Sequence, residues 1–220
     1  MLTYAIGDIH GCANQLDRLL SKIEEHRAGR PRKLVFLGDY IDRGPDSAKV
    51  VATLRQLQAA EPENVTCLRG NHEQMMCDAV FTEDDHLYQH WLLNGGAVAI
   101  QSFEAAMPGG MDRETLVWIQ QLPLTAEDSQ RYFVHAGFNP RRPAPQDDTK
   151  TCLWIREPFL EADHDFGKHV VHGHTPVVRG EPDVRCYRTN LDTGCVFGGW
   201  LTAGVFVEDQ PRAVTFLQVQ

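Results

Sequence analysis

Five times in this chain a short apolar run leads into a polar block flanked by glycine, and each block carries side chains able to ligate a cation or move a proton. Leu2 to Ile6 leads into Gly7-Asp8-Ile9-His10-Gly11. Leu34 to Leu37 leads into Gly38-Asp39-Tyr40-Ile41-Asp42-Arg43-Gly44, and Val65 to Leu68 is followed by Gly70-Asn71-His72-Glu73. Further on, Tyr132-Phe133-Val134 precedes His135-Ala136-Gly137, and His169 to Val171 precedes Gly173-His174-Thr175. Short continuous apolar runs read as buried strands, and the stripes Leu16, Leu19, Leu20, Ile23 and Val50, Leu54, Leu57 read as helices between them. Two successive strand-turn-helix units favour a parallel sheet with right-handed crossovers. In such a sheet the turns after the strands are where chemistry gathers.

The same periodicities predict a third helix over Glu73 to Phe81 and a mainly helical stretch over 82–130. There Trp91, Leu92, Val98, Ile100, Phe103, Leu116 and Ile119 are expected core positions, with breaks at Gly95-Gly96 and Pro108-Gly109-Gly110. Strands are expected at Arg131 to Val134, His169 to Val171, Arg185 to Leu191, Leu201 to Val207 and Ala213 to Gln218. Asn139 to Lys150, with three prolines, reads as an exposed loop that begins close enough to His135 to border a substrate cleft. A length of 220 residues fits one domain, 1–220, with a substantial core.

Composition narrows the function classes. The net charge of −9 argues against a general nucleic-acid footprint, and the basic stretches Arg27 to Lys33 and Arg141-Arg142 are short enough to be solvated loops. Six cysteines show no C-x-x-C spacing, which removes zinc ribbons and thioredoxin-type redox motifs and suits a reducing compartment. A cleaved leader is not expected, because the first polar block already starts at Gly7. Val196 to Val207, the longest mostly apolar stretch, holds three glycines and is too short to span a bilayer of roughly 30 Å. The expected setting is the cytoplasm, with no membrane partner.

The donor set suits metal ions. Asp8 and His10 are one residue apart, so a turning backbone can aim both at one ion. Asp39 has two carboxylate oxygens and can bridge two ions, Asn71 offers a neutral oxygen, and His135 and His174 add imidazole nitrogen, which suits Mn, Fe, Zn or Co better than Ca or Mg. Two divalent ions roughly 3.5–4 Å apart polarise a phosphoryl group and generate hydroxide at neutral pH, so the blocks point to phosphoester hydrolysis. Rival chemistries lack their motifs, since the chain has no Cys-x5-Arg loop, no Gly-x-Ser-x-Gly elbow and no P-loop.

The first three blocks resemble the motifs of the phosphoprotein phosphatase family of metallophosphoesterases. The likeness continues through Gln74-Met75-Met76, His90-Trp91-Leu92-Leu93-Asn94-Gly95-Gly96, Gly173-His174-Thr175-Pro176 and Asp192-Thr193-Gly194, and is similar to the bacteriophage lambda type and its bacterial serine/threonine relatives. It implies a calcineurin-like α/β fold, with central mixed β-sheets flanked by helices and a dinuclear site at the strand ends. It also implies two divalent ions, Mn first with Fe or Zn as alternatives.

Carried over residue by residue, the resemblance assigns Asp8, His10 and Asp39 to one metal and Asp39, Asn71, His135 and His174 to the other. His72 becomes the general acid for the leaving alkoxide, with Asp42 holding its imidazole charged. Arg43 and Arg156, with Asn71, would contact the phosphoryl oxygens. His26, His86, His90, His164 and His169 are expected as surface or packing residues, and the family pattern requires no ligand at His172. Two divalent ions with Arg43 and Arg156 outweigh Asp8 and Asp39, so the local field is positive on an acidic chain.

The implied activity is hydrolysis of phosphorylated proteins or peptides, chiefly on serine and threonine with dual specificity open, by direct attack of metal-bound hydroxide. The alternatives are a small-molecule phosphatase and a symmetrical dinucleoside tetraphosphate hydrolase. The latter shares most of these blocks but, as generally described, carries alanine where this chain has Asp42.

Overall fold

The computed structural model describes residues 1–82, 84–107, 109–177 and 180–220. Their strands form two five-stranded sheets. In the first, β1 (Leu2–Ile6) lies parallel to β2 (Arg32–Phe36), and β2 lies parallel to β3 (Val65–Cys67). On its other side β1 pairs antiparallel with β9 (Leu201–Val207), whose outer neighbour is β10 (Thr215–Val219). The second sheet runs β4 (Thr125–Glu127), β5 (Arg131–Val134), β6 (His169–His172), β8 (Arg188–Asn190), β7 (Asp183–Val184), with β5, β6 and β8 mutually parallel. This is the mixed-sheet architecture that the family resemblance implies; the parallel pairing favoured by the strand-turn-helix units holds for β1, β2 and β3.

Strand alternation sorts the core into layers. Tyr4, Ile6, Leu34 and Phe36 pack on one face of the first sheet with helix α1 (Ala13–Arg27), through Leu16, Leu19 and Ile23, and helix α2 (Ser47–Ala60), through Val50 and Leu54. The alternate residues Ala5, Val35 and Leu37 face the other way, where they meet Phe133, Val171 and Leu191 from the second sheet and Phe206 from β9. The two sheets are thus joined by a shared apolar layer. On the outer face of the second sheet, Tyr132, Val134 and Val170 pack with Phe138, Phe159 and Cys152, the last from the short helix Thr149–Trp154. No helix is long and apolar enough to cross a membrane among the described residues.

Three local departures from the sequence expectations bear on the site. Helix α3 (Asn71–Phe81) starts two residues before Glu73, because extended Gly70 serves as its N-cap and the Glu73 side chain turns back to accept the Gly70 amide at 2.9 Å. Asn71 and His72 therefore project from the first turn of a helix. The expected break at Gly95-Gly96 is a π-helical turn, Leu92–Gly96, between α4 (Asp85–Trp91) and α5 (Ala97–Ala106), with Gly95 at φ 112°. The break expected at Pro108-Gly109-Gly110 falls partly on Pro108, outside the described residues. The strand expected over Arg185 to Leu191 is a tight antiparallel pair, β7 and β8, in register Val184 to Thr189 and tied by Asp183 to Arg188 at 2.9 Å.

The 139–150 loop is exposed along most of its length but organised around the buried Gln146. Its side-chain carbonyl accepts the Asn139 amide at 3.0 Å, and its NH2 donates to the Asn139 carbonyl at 2.9 Å.

Two glycines set how closely the first sheet's turns approach. Gly38 has φ +103°, and a Cβ on it would lie 2.6 Å from the Gly70 Cα. Gly38→Ala should therefore strain a buried backbone contact and cost about 3 kcal/mol, lowering the Tm by roughly 6–12 °C in a chain of this size. Thermal unfolding monitored by circular dichroism checks this, with Gly29→Ala as the comparison, since Gly29 is also left-handed, at φ +79°, but a Cβ on it would meet nothing within 4 Å.

Candidate metal centre

Each ligand-type residue follows a strand end by a few residues: Asp8 and His10 after β1, Asp39 after β2, Asn71 after β3, His135 after β5 and His174 after β6. Both sheets thus deliver donors to one place. Two groups form there, His10 with Asp39 and His72, and Asp39 with His135 and His174, the ligand atoms of each lying within 4.8 Å of one another. Asp39 belongs to both, with Oδ2 3.4 Å from His10 Nε2 and Oδ1 3.4 Å from His135 Nε2.

The donor chemistry fits cations. His10 Nδ1 donates to the Ile41 carbonyl and His135 Nδ1 to the Leu37 carbonyl, both at 2.9 Å. A carbonyl can only accept, so these bonds fix the tautomer and leave an Nε2 lone pair on each ring. At His135 that lone pair faces Asn71 Oδ1 at 2.9 Å as well as Asp39 Oδ1, and His174 Nδ1 lies 2.9 Å from the same amide oxygen. Two acceptors such as His135 Nε2 and Asn71 Oδ1 held face to face repel unless a cation lies between them. Burial drives His10 to a pKa of about 3 and His174 to about 2 and lowers His135 as well, keeping the imidazoles neutral and able to ligate.

Asp8 stands differently from its partners. Its carboxylate accepts the His174 amide at 3.1 Å, an approach that a Cβ on Gly173 would block. Burial raises its pKa well above the ordinary range, and repulsion from Asp192 and Asp39 adds to the effect. Asp192, buried after β8 and bonded to the Gly194 amide at 3.1 Å, is pushed up to about 7, chiefly by burial. Crowding of buried acids is the electrostatic counterpart of a divalent-cation site.

Beside the first group lies a proton-transfer pair. His72 Nδ1 is 2.7 Å from Asp42 Oδ2, and the Trp91 indole donates to both Asp42 oxygens at 3.0 and 3.1 Å. Burial alone would lower the His72 pKa; the carboxylates of Asp39 and Asp42 outweigh it, and the net shift is upward. Arg43 Nη1 lies 2.7 Å from His10 Nε2, while the exposed Arg156 acts electrostatically on His135, His174 and Asp192. The backbone here is strained. Of the six described non-glycine residues with positive φ, five are His10, Asp39, Asp42, Arg43 and His174, and only Ala28 lies elsewhere. Each such residue costs about 1–3 kcal/mol, a pattern typical of functional turns.

Sequence reasoning assigned no role to Glu73, Trp91 or Asp192. Glu73 is buried and accepts the amides of Asp39 and Tyr40 at 2.8 Å and of Ile41 at 3.3 Å, setting the turn that presents Asp39. Trp91 reads as an ordinary core residue in a helical stripe, and only its contact with Asp42, 49 residues away, gives it another function. Asp192 belongs to the Asp192-Thr193-Gly194 stretch of the family resemblance, which implies no task for it. His172, set aside from the ligands, is buried against Arg188 at 3.4 Å.

Layered α/β sheets with a buried Asp/His/Asn cluster at their strand ends define a metallophosphoesterase. The sequence profile of calcineurin-like phosphoesterases matches residues 1–200, and the chain belongs to that family, whose members use a dinuclear divalent metal site. It is 33% identical over 210 residues to serine/threonine-protein phosphatase 1 of Salmonella typhimurium, covering 90% of this chain and 89% of the relative. It is 34% identical over 256 residues to the symmetrical bis(5'-nucleosyl)-tetraphosphatase of a Janthinobacterium, covering 94% and 85%. The crystal structure of a cold-active protein-tyrosine phosphatase from a psychrophilic Shewanella shares the fold, with a TM-score of 0.61 at 18% identity over 100% of this chain and 80% of that one.

Because each Asp39 oxygen faces a different imidazole, Asp39→Asn should lower the content of both ions, whereas His174→Ala should empty mainly one. Metal analysis of the purified variants reads this directly; two retained ions in Asp39→Asn would contradict the bridge.

Proposed function

We propose that the chain is a metal-dependent phosphomonoesterase acting on phosphorylated proteins or peptides, chiefly at serine and threonine. The buried Asp42–His72 pair, 2.7 Å apart and braced by Trp91, carries this reading. An alkoxide is a poor leaving group and needs a proton as its bond to phosphorus breaks, whereas a nucleotide leaving group needs little help. Asp8, His10 and Asp39 would hold one divalent ion and Asp39, Asn71, His135 and His174 the other, Mn being the first candidate and Fe or Zn the alternatives. When bound, such ions polarise the phosphoryl group and supply a nucleophilic oxygen at neutral pH.

The chain's own residues do the rest. Arg43 and Arg156 bind the phosphoryl oxygens, their forked guanidinium groups matching that shape. His72, protonated on both nitrogens, donates its Nδ1 proton in a hydrogen bond to the Asp42 carboxylate and gives its Nε2 proton to the leaving oxygen. Asp42 holds the ring in orientation and favours its charged form, and Trp91 and the Ser47 hydroxyl, 3.1 Å from the Asp42 amide, keep Asp42 in place. Six free cysteines, five of them buried, are in keeping with a reducing cytoplasmic setting.

The tetraphosphatase relatives support a second reading, cleavage of dinucleoside tetraphosphates. Comparison of kcat/KM on phosphothreonyl peptides and on diadenosine tetraphosphate at matched Mn separates the two. The peptides are expected to be faster, and the reverse order overturns the protein-phosphatase reading while leaving the metal centre intact.

The raised pKa of His72 also fixes a pH dependence. The working form is protonated, so activity should fall as pH rises through that pKa. Asp42→Asn removes a charge that raises it, and the descending limb of the kcat profile should move to lower pH. His72→Asn should lower kcat on phosphothreonyl peptides by about 10²–10⁴-fold, and less on nitrophenyl phosphate, whose leaving group needs little protonation. Equal losses on both substrates would assign His72 a structural part only.

A further inference from the structure

Phe197 is a large apolar side chain held out in solvent, 65% exposed, at the edge of the candidate centre. Its exposure is built into the backbone. It ends a 3-10 turn, Cys195–Phe197, bounded by Gly194 and Gly198, both left-handed with φ +72° and +85°. The loop is closed by the Phe197 and Gly199 amides donating to the Gly194 carbonyl at 2.9 and 3.0 Å and by Trp200 donating to Thr193 at 3.2 Å. Asp192, whose carboxylate accepts the Gly194 amide, anchors this turn at the cluster of buried acids. A turn so tightly closed presents the ring at little further cost in conformational entropy.

The ring also has a defined neighbour. The Arg43 guanidinium carbon lies 5.5 Å above its centroid. Arg43 in turn reaches His10 at 2.7 Å, and the His10 ring lies 4.7 Å from that of His72. Phe197 is thus linked, through Arg43 and His10, to the side of the centre that holds the proton donor. Leu93, 87% exposed, belongs to the π turn whose Gly95 carbonyl accepts the Arg43 amide at 3.3 Å.

We infer that Phe197 is a specificity-determining residue that recognises an aromatic leaving group by stacking, and that it extends the activity from seryl and threonyl esters to phosphomonoesters whose reacting oxygen is borne on an aromatic ring, as in a phosphotyrosyl side chain. This rests on the phosphomonoesterase reading above. A phenolic leaving group puts its ring directly beyond the scissile oxygen, within reach of an aromatic neighbour. A threonyl or seryl group offers no such face, and in a dinucleoside polyphosphate a ribose and further phosphates separate the base from the reacting phosphorus.

The test uses the full chain reconstituted with Mn and two phosphopeptides of identical flanks, one tyrosyl and one threonyl. Phe197→Leu should lower kcat/KM on the tyrosyl peptide by about 3- to 10-fold, the span expected of one aromatic pair, and should cut the tyrosyl-to-threonyl ratio by the same factor. Phe197→Trp should restore that ratio. Binding supplies a readout free of turnover, with Phe197→Leu weakening phenylphosphonate but not methylphosphonate in calorimetry. Equal losses on both peptides, or on both phosphonates, would make Phe197 only a support for Arg43 and overturn the inference. A wild-type preference for diadenosine tetraphosphate would overturn the phosphomonoesterase reading instead; the peptide ratio of the two proteins still decides the part played by Phe197.

Discussion

The Glu73 carboxylate is the contact on which the rest of the centre depends. It is fully buried, yet it accepts four backbone amides, those of Asp39, Tyr40, Ile41 and Gly70, at 2.8 to 3.3 Å. Burial, with repulsion from Asp39, raises its pKa to about 7, and the amide donors act against that rise. A buried anion is tolerable only when its lone pairs are satisfied in this way. The turn after β2 owes its shape to this side chain, because three successive amides cannot converge on one carboxylate in an extended strand.

That convergence explains where the strain goes. Asp39, Asp42 and Arg43 sit in left-handed backbone conformations, and no glycine relieves them. Glu73 holds the start of the turn, Ser47 bonds the Asp42 amide, and the Gly95 carbonyl bonds the Arg43 amide. The Tyr40 hydroxyl, buried beneath, donates to the Leu68 carbonyl at 2.6 Å and joins the turn after β2 to that after β3. Conformations costly in isolation are thus over-determined by contacts from helix α3, the π turn and β3.

The first half of the fold is legible in the sequence because its signals are local. Continuous apolar runs mark β1, β2 and β3, helical stripes mark α1 and α2, and ligand-type side chains follow within a few residues of each strand. The sheet pairing of β9 with β1 is not local, and nothing in residues 201–207 announces that they join the strand at the amino terminus. The hairpin of β7 and β8 was hidden for a related reason: Arg185, Cys186 and Tyr187 are not turn residues by composition, and the reversal is held by an acid–arginine contact across the pair. At the centre, Asp39, His10, His135, His174 and Asn71 come together as residue types and spacing suggest. Trp91 and Glu73 act through contacts with distant backbone or side chains, and a pattern of apolar or acidic residues along a helix cannot reveal those.

The donors come from two different sheets. His10 and Asp39 hang from the first, His135 and His174 from the second, and between those sheets lies an apolar layer that includes Ala5, Val35, Leu37, Leu68, Phe133, Val171, Leu191 and Phe206. A cation held by Asp39 and His135 together would therefore be a rivet through the sandwich. It binds only when both halves are in register, so its affinity is added to the free energy of folding. Catalytic competence and the docking of one sheet on the other then become a single cooperative property of the molecule.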